Sequence, residues 1–164
     1  ASTASPAEER LTEDGRQSPA AAAICRGARR LLAGHALATL TEVGLPNGRR
    51  ADILALSAKG EITIVEVKSS VTDFRTDLKW PDYRDFCDRL LFAVAPDFPA
   101  ELIPVDVGLI VADRFGGEIV RDSPVTPLSG SRRRSLLLRI ARLGAGRLHS
   151  REDPEFRVDW DVVA

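Results

Sequence analysis

Asp52, Glu66 and Lys68 are the residues of this 164-residue chain whose types and spacing could do chemistry. They lie in two alternating segments, RADILALS over 50–57 and EITIVEVK over 61–68, joined by Ala58-Lys59-Gly60. A three-residue loop with Gly at its left-handed position is a favoured hairpin connection. It sets Ser57 opposite Glu61 and therefore Asp52 opposite Glu66. Directly opposed side chains share one face of a sheet, with Cβ atoms about 4.5–5.5 Å apart. Lys68, two residues beyond Glu66, points to the same face. The rest of that face is Leu54, Leu56, Ile62 and Ile64. Two carboxylates and an ammonium are thus expected at one end of an otherwise apolar surface.

Opposed carboxylates on adjacent strands are destabilising, and a partly buried pair drives one proton affinity up. A divalent cation resolves the conflict. Mg²⁺ takes oxygen ligands, keeps several waters, and is typically held by one or two carboxylates plus a substrate phosphate. The cofactor expected here is Mg²⁺ or Mn²⁺. Lys68 beside it could orient or deprotonate a water, or stabilise charge developing on a phosphoryl oxygen. Only three of the 23 basic residues are lysines, so a lysine in an apolar strand stands out. The plainer reading of the trio is a salt-bridged strand end.

The elements that must position these residues are legible around them. PAAAAICRGARRLLAG reads as a helix with Pro in its first turn and Gly34 as its stop. HALATLTEV follows as a strand, ended by the turn-rich GLPNG. If those five residues are the loop, Val43 pairs with Arg49 and Glu42 shares the face of Asp52. After Lys68, Ser70 can cap a helix through TDFRTDLK, which Trp80-Pro81 breaks and PDYRDFCD restarts. RLLFAVA and VGLIVAD are buried strands, EIVR is a short one, and 131–143 is an amphipathic helix. The expected domains are a disordered tail over 1–18, a folded unit over 19–147, and a tail over 148–164.

Asp52, the hairpin and Glu66-Val67-Lys68 look like the D…E-x-K signature of the PD-(D/E)XK nuclease superfamily. The segments GRRADILAL, EITIVEVKSSVTDFRTDLKWPDY and VGLIVAD resemble the MmcB-like DNA repair family within it. The resemblance spans about Pro19 to Arg142. It implies an α/β fold with a restriction-endonuclease-like αβββαβ core, a mixed central sheet flanked by helices, and a metal-dependent phosphodiesterase acting in bacterial DNA repair. It implies Asp52 and Glu66 as metal-binding acids, the Val67 backbone carbonyl as a third ligand, and Lys68 as the catalytic lysine. Lys79 and Tyr83 occupy positions from which superfamily members touch phosphate or water. Ala51 stands where the signature has proline. The first helix carries no acid, so the helix glutamate of many members is absent and Glu42 is the candidate stand-in.

Composition narrows the function classes. The chain has 23 Lys+Arg against 24 Asp+Glu, a net charge of −1, which argues against a globally basic nucleic-acid binder. Residues 131–151 nevertheless hold seven arginines and no acid, a stripe that suits phosphate contact. Arg132, Arg133 and Arg134 within it, with Arg49 and Arg50 beside Asp52, are the expected DNA-binding cations. No phosphate loop, serine-hydrolase elbow, helix-turn-helix or zinc spacing is present. No signal peptide is expected, and no apolar run reaches membrane-spanning length. Cys25 and Cys87 read as reduced thiols of a cytoplasmic protein. The expectation is a DNA endonuclease with DNA as partner, with a homodimer or other repair proteins as further partners. The alternative is a non-catalytic DNA-binding or scaffolding subunit that retains the fold.

Overall fold

The computed structural model describes residues 17–163. The expected N-terminal tail lies, as far as residue 16, outside the described residues. Helix α1 spans Pro19–Gly34, the bounds read from sequence. The Ser18 hydroxyl accepts from the Ala21 N–H at 3.2 Å, and Pro19 sits where its missing N–H costs nothing. Ala21, Ile24, Cys25, Ala28 and Leu32 recur at helical spacing and are buried.

Six strands follow: β1 (Ala38–Gly44), β2 (Arg50–Leu56), β3 (Ile62–Lys68), β4 (Arg89–Val94), β5 (Gly108–Ala112) and β6 (Gly117–Arg121). They form one mixed sheet whose spatial order is the chain order. β1, β2 and β3 are antiparallel, β3, β4 and β5 parallel, and β6 antiparallel to β5. The element order from α1 to β4 is the expected αβββαβ. All seven residues of β3 are buried, as a parallel-paired strand covered on both faces must be. The hairpin register also holds, with Ile53 opposite Val65 and Leu56 opposite Ile62, and Gly60 at φ +87°.

The sheet separates two cores. On one face α1 covers Ile53, Ala55, Val65, Val67, Leu91, Ala93 and Ile110. On the other, Leu54, Ile62, Ile64, Phe92 and Leu109 lie beneath a 3-10 turn at Trp80–Phe86 and helix α3 (Gly130–Glu152). α1 approaches the β5–β6 turn so closely that a Cβ on Gly27 would lie 1.7 Å from the Asp113 carbonyl oxygen and 2.5 Å from that of Gly116. Those are backbone atoms of a short turn and cannot yield as a side chain does. Gly27→Ala is therefore expected to destabilise by about 3 kcal/mol, despite the better helix propensity of alanine. Thermal denaturation should show a fall in Tm of roughly 6–12 °C.

Three expectations change. The helix after Lys68 is only Val71–Thr76 (α2), because Asp77 leaves helical geometry, at φ −85° and ψ 91°. The segment with Pro81 resumes as the 3-10 turn. α3 runs to Glu152, so the expected boundary at 147/148 falls inside a helix. Gly144 and Gly146 do not end that helix, and a Cβ at Gly146 would strike the Trp160 ring at 2.1 Å. Trp160, opening the short helix α4 (Trp160–Val163), thus anchors part of the expected tail on α3.

Arg133 is a further correction. Its guanidinium forks onto Asp88, with Nη1–Oδ2 and Nη2–Oδ1 both 2.7 Å, and Nη1 also donates to the Gly60 carbonyl at 2.8 Å. The same carboxylate accepts from the Ile62 N–H at 2.7 Å and the Leu128 N–H at 2.9 Å. Burial alone would raise the Asp88 pKa, but the Arg133 fork and the two N–H bonds hold it at about 2. Arg133 ties α3 to the β2–β3 loop, so the phosphate contact expected of it is replaced by an internal one.

Candidate functional site

The β2–β3 ladder runs from Leu56 opposite Ile62 to Ile53 opposite Val65. At its end the two acids bond across the strands. The Asp52 N–H donates to Glu66 Oε1 at 3.0 Å, and the Val67 N–H donates to Asp52 Oδ2 at 2.8 Å. Each carboxylate therefore closes the other strand's open hydrogen-bonding edge. A strand residue presents its N–H and C=O to the same neighbour, so the Val67 carbonyl shares this fork with Asp52.

Strict alternation gives way just here. Leu40 and Val43 of β1 both pack in the core beneath α3, and so do Ala51 and Leu54 of β2. Residues three apart cannot share a face of a regular strand. The change of parity coincides with Glu42, whose φ of +52° is left-handed and strained for a side chain of its size. β1 and β2 pair with Val43 opposite Ala51 and Gly44 opposite Arg50. The loop is therefore Leu45–Arg49, closed by a 2.7 Å bond from the Leu45 N–H to the Arg49 carbonyl. The expected pairing of Val43 with Arg49 is corrected by this shift. Glu42 and Asp52 nonetheless come to one place, a cleft of about 1010 Å³ between α1 and the β1–β2 hairpin, which Val67 and Asp73 also line.

Glu66 is 1% exposed and Lys68 fully buried. Both alternate with Val67, so they face the core opposite α1, whereas Asp52 lines the α1 cleft. The single shared face read from sequence is thus divided by the fork. Lys68 Nζ lies 2.5 Å from Asp77 Oδ2, and Asp77 Oδ1 accepts from the Lys79 N–H at 3.0 Å. Sequence reasoning missed Asp77; its only local signal was an acid at the point where the helix pattern fails.

The donor atoms at the fork are all oxygen, the type a hard cation takes, with Asp52 on the cleft side of the sheet and Glu66 on the core side. Among the described residues no three Asp, Glu, His or Cys side chains gather as a metal-binding group. Glu42, the candidate third acid, instead lies 3.9 Å from Arg50.

The other expected residues divide between cleft and scaffold. Arg50 lines the cleft, and Arg49 Nε is 3.5 Å from Asp82. Tyr83 is buried and its hydroxyl donates to the Arg50 carbonyl at 2.9 Å, which fixes the start of β2. Its expected contact with phosphate is corrected to a positioning role. Lys79 is exposed. Trp80 packs edge-on against Phe92 at 5.3 Å as a core residue. Arg132 stacks over Phe86 at 4.9 Å and donates to the Asp85 carbonyl at 2.9 Å. Arg134 is exposed on α3. That helix covers the sheet face opposite α1, so Arg132 and Arg134 do not join the cleft. The cations that do, besides Arg50, are Arg26, Arg29 and Arg30 of α1. Their sequence signal was a helix rich in arginine and free of acid.

Both cysteines are unbridged and buried. Burial pushes the Cys25 thiol up to about 11, with Asp52 and Glu42 adding to the rise and Arg29 opposing it. Burial likewise carries Cys87 to about 12. A thiol-directed alkylating reagent at pH 8 is expected to leave both unmodified in the native protein and to label both in denaturant, as intact-mass measurement would show.

Among the described residues no helix is long and apolar enough to cross a membrane. A family model described as "DNA repair protein MmcB-like" matches residues 8–155. A search of curated proteins returned no match. Among solved structures, the chain is similar to a protein of unknown function from Silicibacter pomeroyi, at 40% identity and a TM-score of 0.82, over 85% of this chain and 95% of the other.

Proposed function

The chain belongs to the MmcB-like family of DNA repair proteins, and from that premise we propose that it is a metal-dependent DNA endonuclease whose hydrolytic site is the β2–β3 fork. The observation that carries the reading is the reciprocal bonding of Asp52 and Glu66 at the point where the ladder ends. Two acids brought to the end of the ladder, each accepting from the other strand's backbone N–H, are understandable if a cation is held there beside the substrate.

Asp52, Glu66 and the Val67 carbonyl would hold Mg²⁺ or Mn²⁺, which supplies Lewis acidity toward a water and a phosphoryl oxygen. The remaining work falls to the chain itself. The fork fixes the orientation of both carboxylates through backbone N–H groups, so no rotamer search precedes binding. Arg50 at the cleft wall neutralises phosphate charge. Lys68, clamped by Asp77, contributes a fixed positive charge behind Glu66. Among the described residues there is no helix-turn-helix or zinc module for base-specific readout, which favours recognition of DNA structure over sequence.

The test is incubation with linear, nicked, branched and single-stranded DNA in Mg²⁺ or Mn²⁺, beside Asp52→Asn and Lys68→Ala. Cleavage that needs metal and is lost in both variants supports the proposal. Binding without cleavage on every substrate overturns it and favours the second reading, a DNA-binding or scaffolding subunit that retains the fold. One observation speaks for that reading: Lys68 is fully buried and paired with Asp77 at 2.5 Å, an arrangement that also suits a structural lysine.

A further inference from the structure

We infer that the arginine row of α1, Arg26, Arg29 and Arg30, is the principal phosphate-backbone track for DNA and leads one strand across α1 to Asp52. The inference rests on the reading of the fork as a DNA site and adds to it the surface that holds the strand. Three observations carry it.

The first is placement. Arg26, Arg29 and Arg30 line the same cleft as Asp52 and Val67, with Ala21 and Cys25 at its floor, while Ile24, Ala28 and Leu32 are buried against the sheet. The helix rises 1.5 Å per residue, so Arg26 and Arg30 are about 6 Å apart along its axis. Ala22 and Ala33 extend the cleft wall beyond the row, and their small side chains leave the helix surface open to a backbone.

The second is aim. Arg29 Nε donates to the Thr39 hydroxyl at 2.9 Å, and Arg30 Nη1 donates to the Phe115 carbonyl at 3.2 Å. Both anchors are neutral oxygens, so they orient the guanidinium groups without cancelling their charge. A planar guanidinium held by one edge still presents donors to a phosphate.

The third is the contrast with the arginines of α3. Arg133 is forked onto Asp88, Arg139 donates to the Gly44 carbonyl, and Arg147 donates to the Thr41 and Glu42 carbonyls. These side chains fasten α3 to the sheet, and that helix covers the face opposite α1. The local charge excess that is most visible in the sequence is thus largely architectural. The shorter row on α1 is exposed and stands over the fork.

The experiment measures binding of full-length Asp52→Asn protein to fluorescent single-stranded, duplex and branched DNA without divalent metal, across a salt series. Into this background go Arg26→Gln/Arg29→Gln/Arg30→Gln and, separately, the same three positions changed to Lys. Each phosphate contact contributes about 0.7 to the salt slope on single strands and about 0.9 on duplex. The Gln variant is expected to bind about 30-fold more weakly or worse, with the slope reduced by about two. The Lys variant should recover most of the affinity, which separates lost charge from lost folding. The substrate form with the largest change identifies the strand that uses the track. Unchanged affinity and slope in the Gln variant, with binding lost instead on Arg132→Gln/Arg134→Gln, overturn the inference and leave the DNA reading intact. No binding of the Asp52→Asn parent to any of the three DNAs overturns the DNA reading itself.

Discussion

Asp52→Asn is expected to reduce metal-dependent DNA cleavage at least about 1000-fold, equivalent to about 4 kcal/mol of transition-state stabilisation, while leaving the fold intact. The substitution is nearly isosteric, and an amide oxygen can still accept from the Val67 N–H, the bond that Asp52 Oδ2 makes at 2.8 Å. The fork therefore keeps its geometry and loses the negative charge that would hold a divalent cation. DNA binding without metal should be equal to or tighter than that of the parent, because one carboxylate no longer repels phosphate. Single-turnover cleavage assays with a matched binding titration check both halves. Cleavage persisting within tenfold of the parent would remove Asp52 from the site. A cleavage loss accompanied by a Tm drop of more than a few degrees would reassign it to the scaffold.

The second large effect concerns stability. Asp88 has a side chain 2% exposed and joins three separate segments: β3 through the Ile62 N–H, the approach to α3 through Leu128, and α3 itself through Arg133. Asp88→Ala removes every one of these acceptors and leaves the guanidinium without its fork. Breaking a buried pair from one side costs about 3–5 kcal/mol, and for a chain of this size that lowers Tm by roughly 10 °C. The pH dependence carries a sign. The folded-state pKa of about 2 lies below the ordinary 3.8, so the ionised form is favoured by folding. The resulting stabilisation, about 2 kcal/mol, is complete above about pH 4 and is lost as pH falls through 2. Urea denaturation between pH 5 and 2 should show the loss in the parent and a flatter profile in Asp88→Asn. Arg133→Ala is expected to destabilise comparably and to leave DNA affinity near that of the parent.

What the sequence made legible was local. Helix α1 was bounded by Ser18-Pro19 and Gly34 because capping and proline chemistry act within one turn. The β2–β3 register followed from a three-residue loop with glycine at its left-handed position, and it brought Asp52 to Glu66. Features that depend on distant parts of the chain were not legible. The parity change at Glu42 and Asp52 is imposed by packing on both faces, and alternation alone cannot announce it. The pairing of Arg133 with Asp88 spans 45 positions, so a run of three arginines looked like a DNA-binding stripe when one member was a structural tie. The place of α1 beside the fork was hidden for the same reason. Its arginines are near Asp52 only because the helix lies back across the sheet that follows it.

The sheet whose strands are ordered as the chain is ordered has a consequence for how the molecule forms. Each strand finds its partner among residues just synthesised, so most of the sheet assembles through contacts of short sequence separation, which are the rapid ones. The seating of Gly27 against Asp113 and Gly116 is different, since it closes α1 onto the far end of the sheet. Loop closure of that length is deferred until the sheet exists to receive it. The cleft walls are α1 on one side and β1–β2 on the other, so the cleft takes its final shape only once α1 is seated. A partly folded chain would carry the acids of the fork without the helix that stands over them.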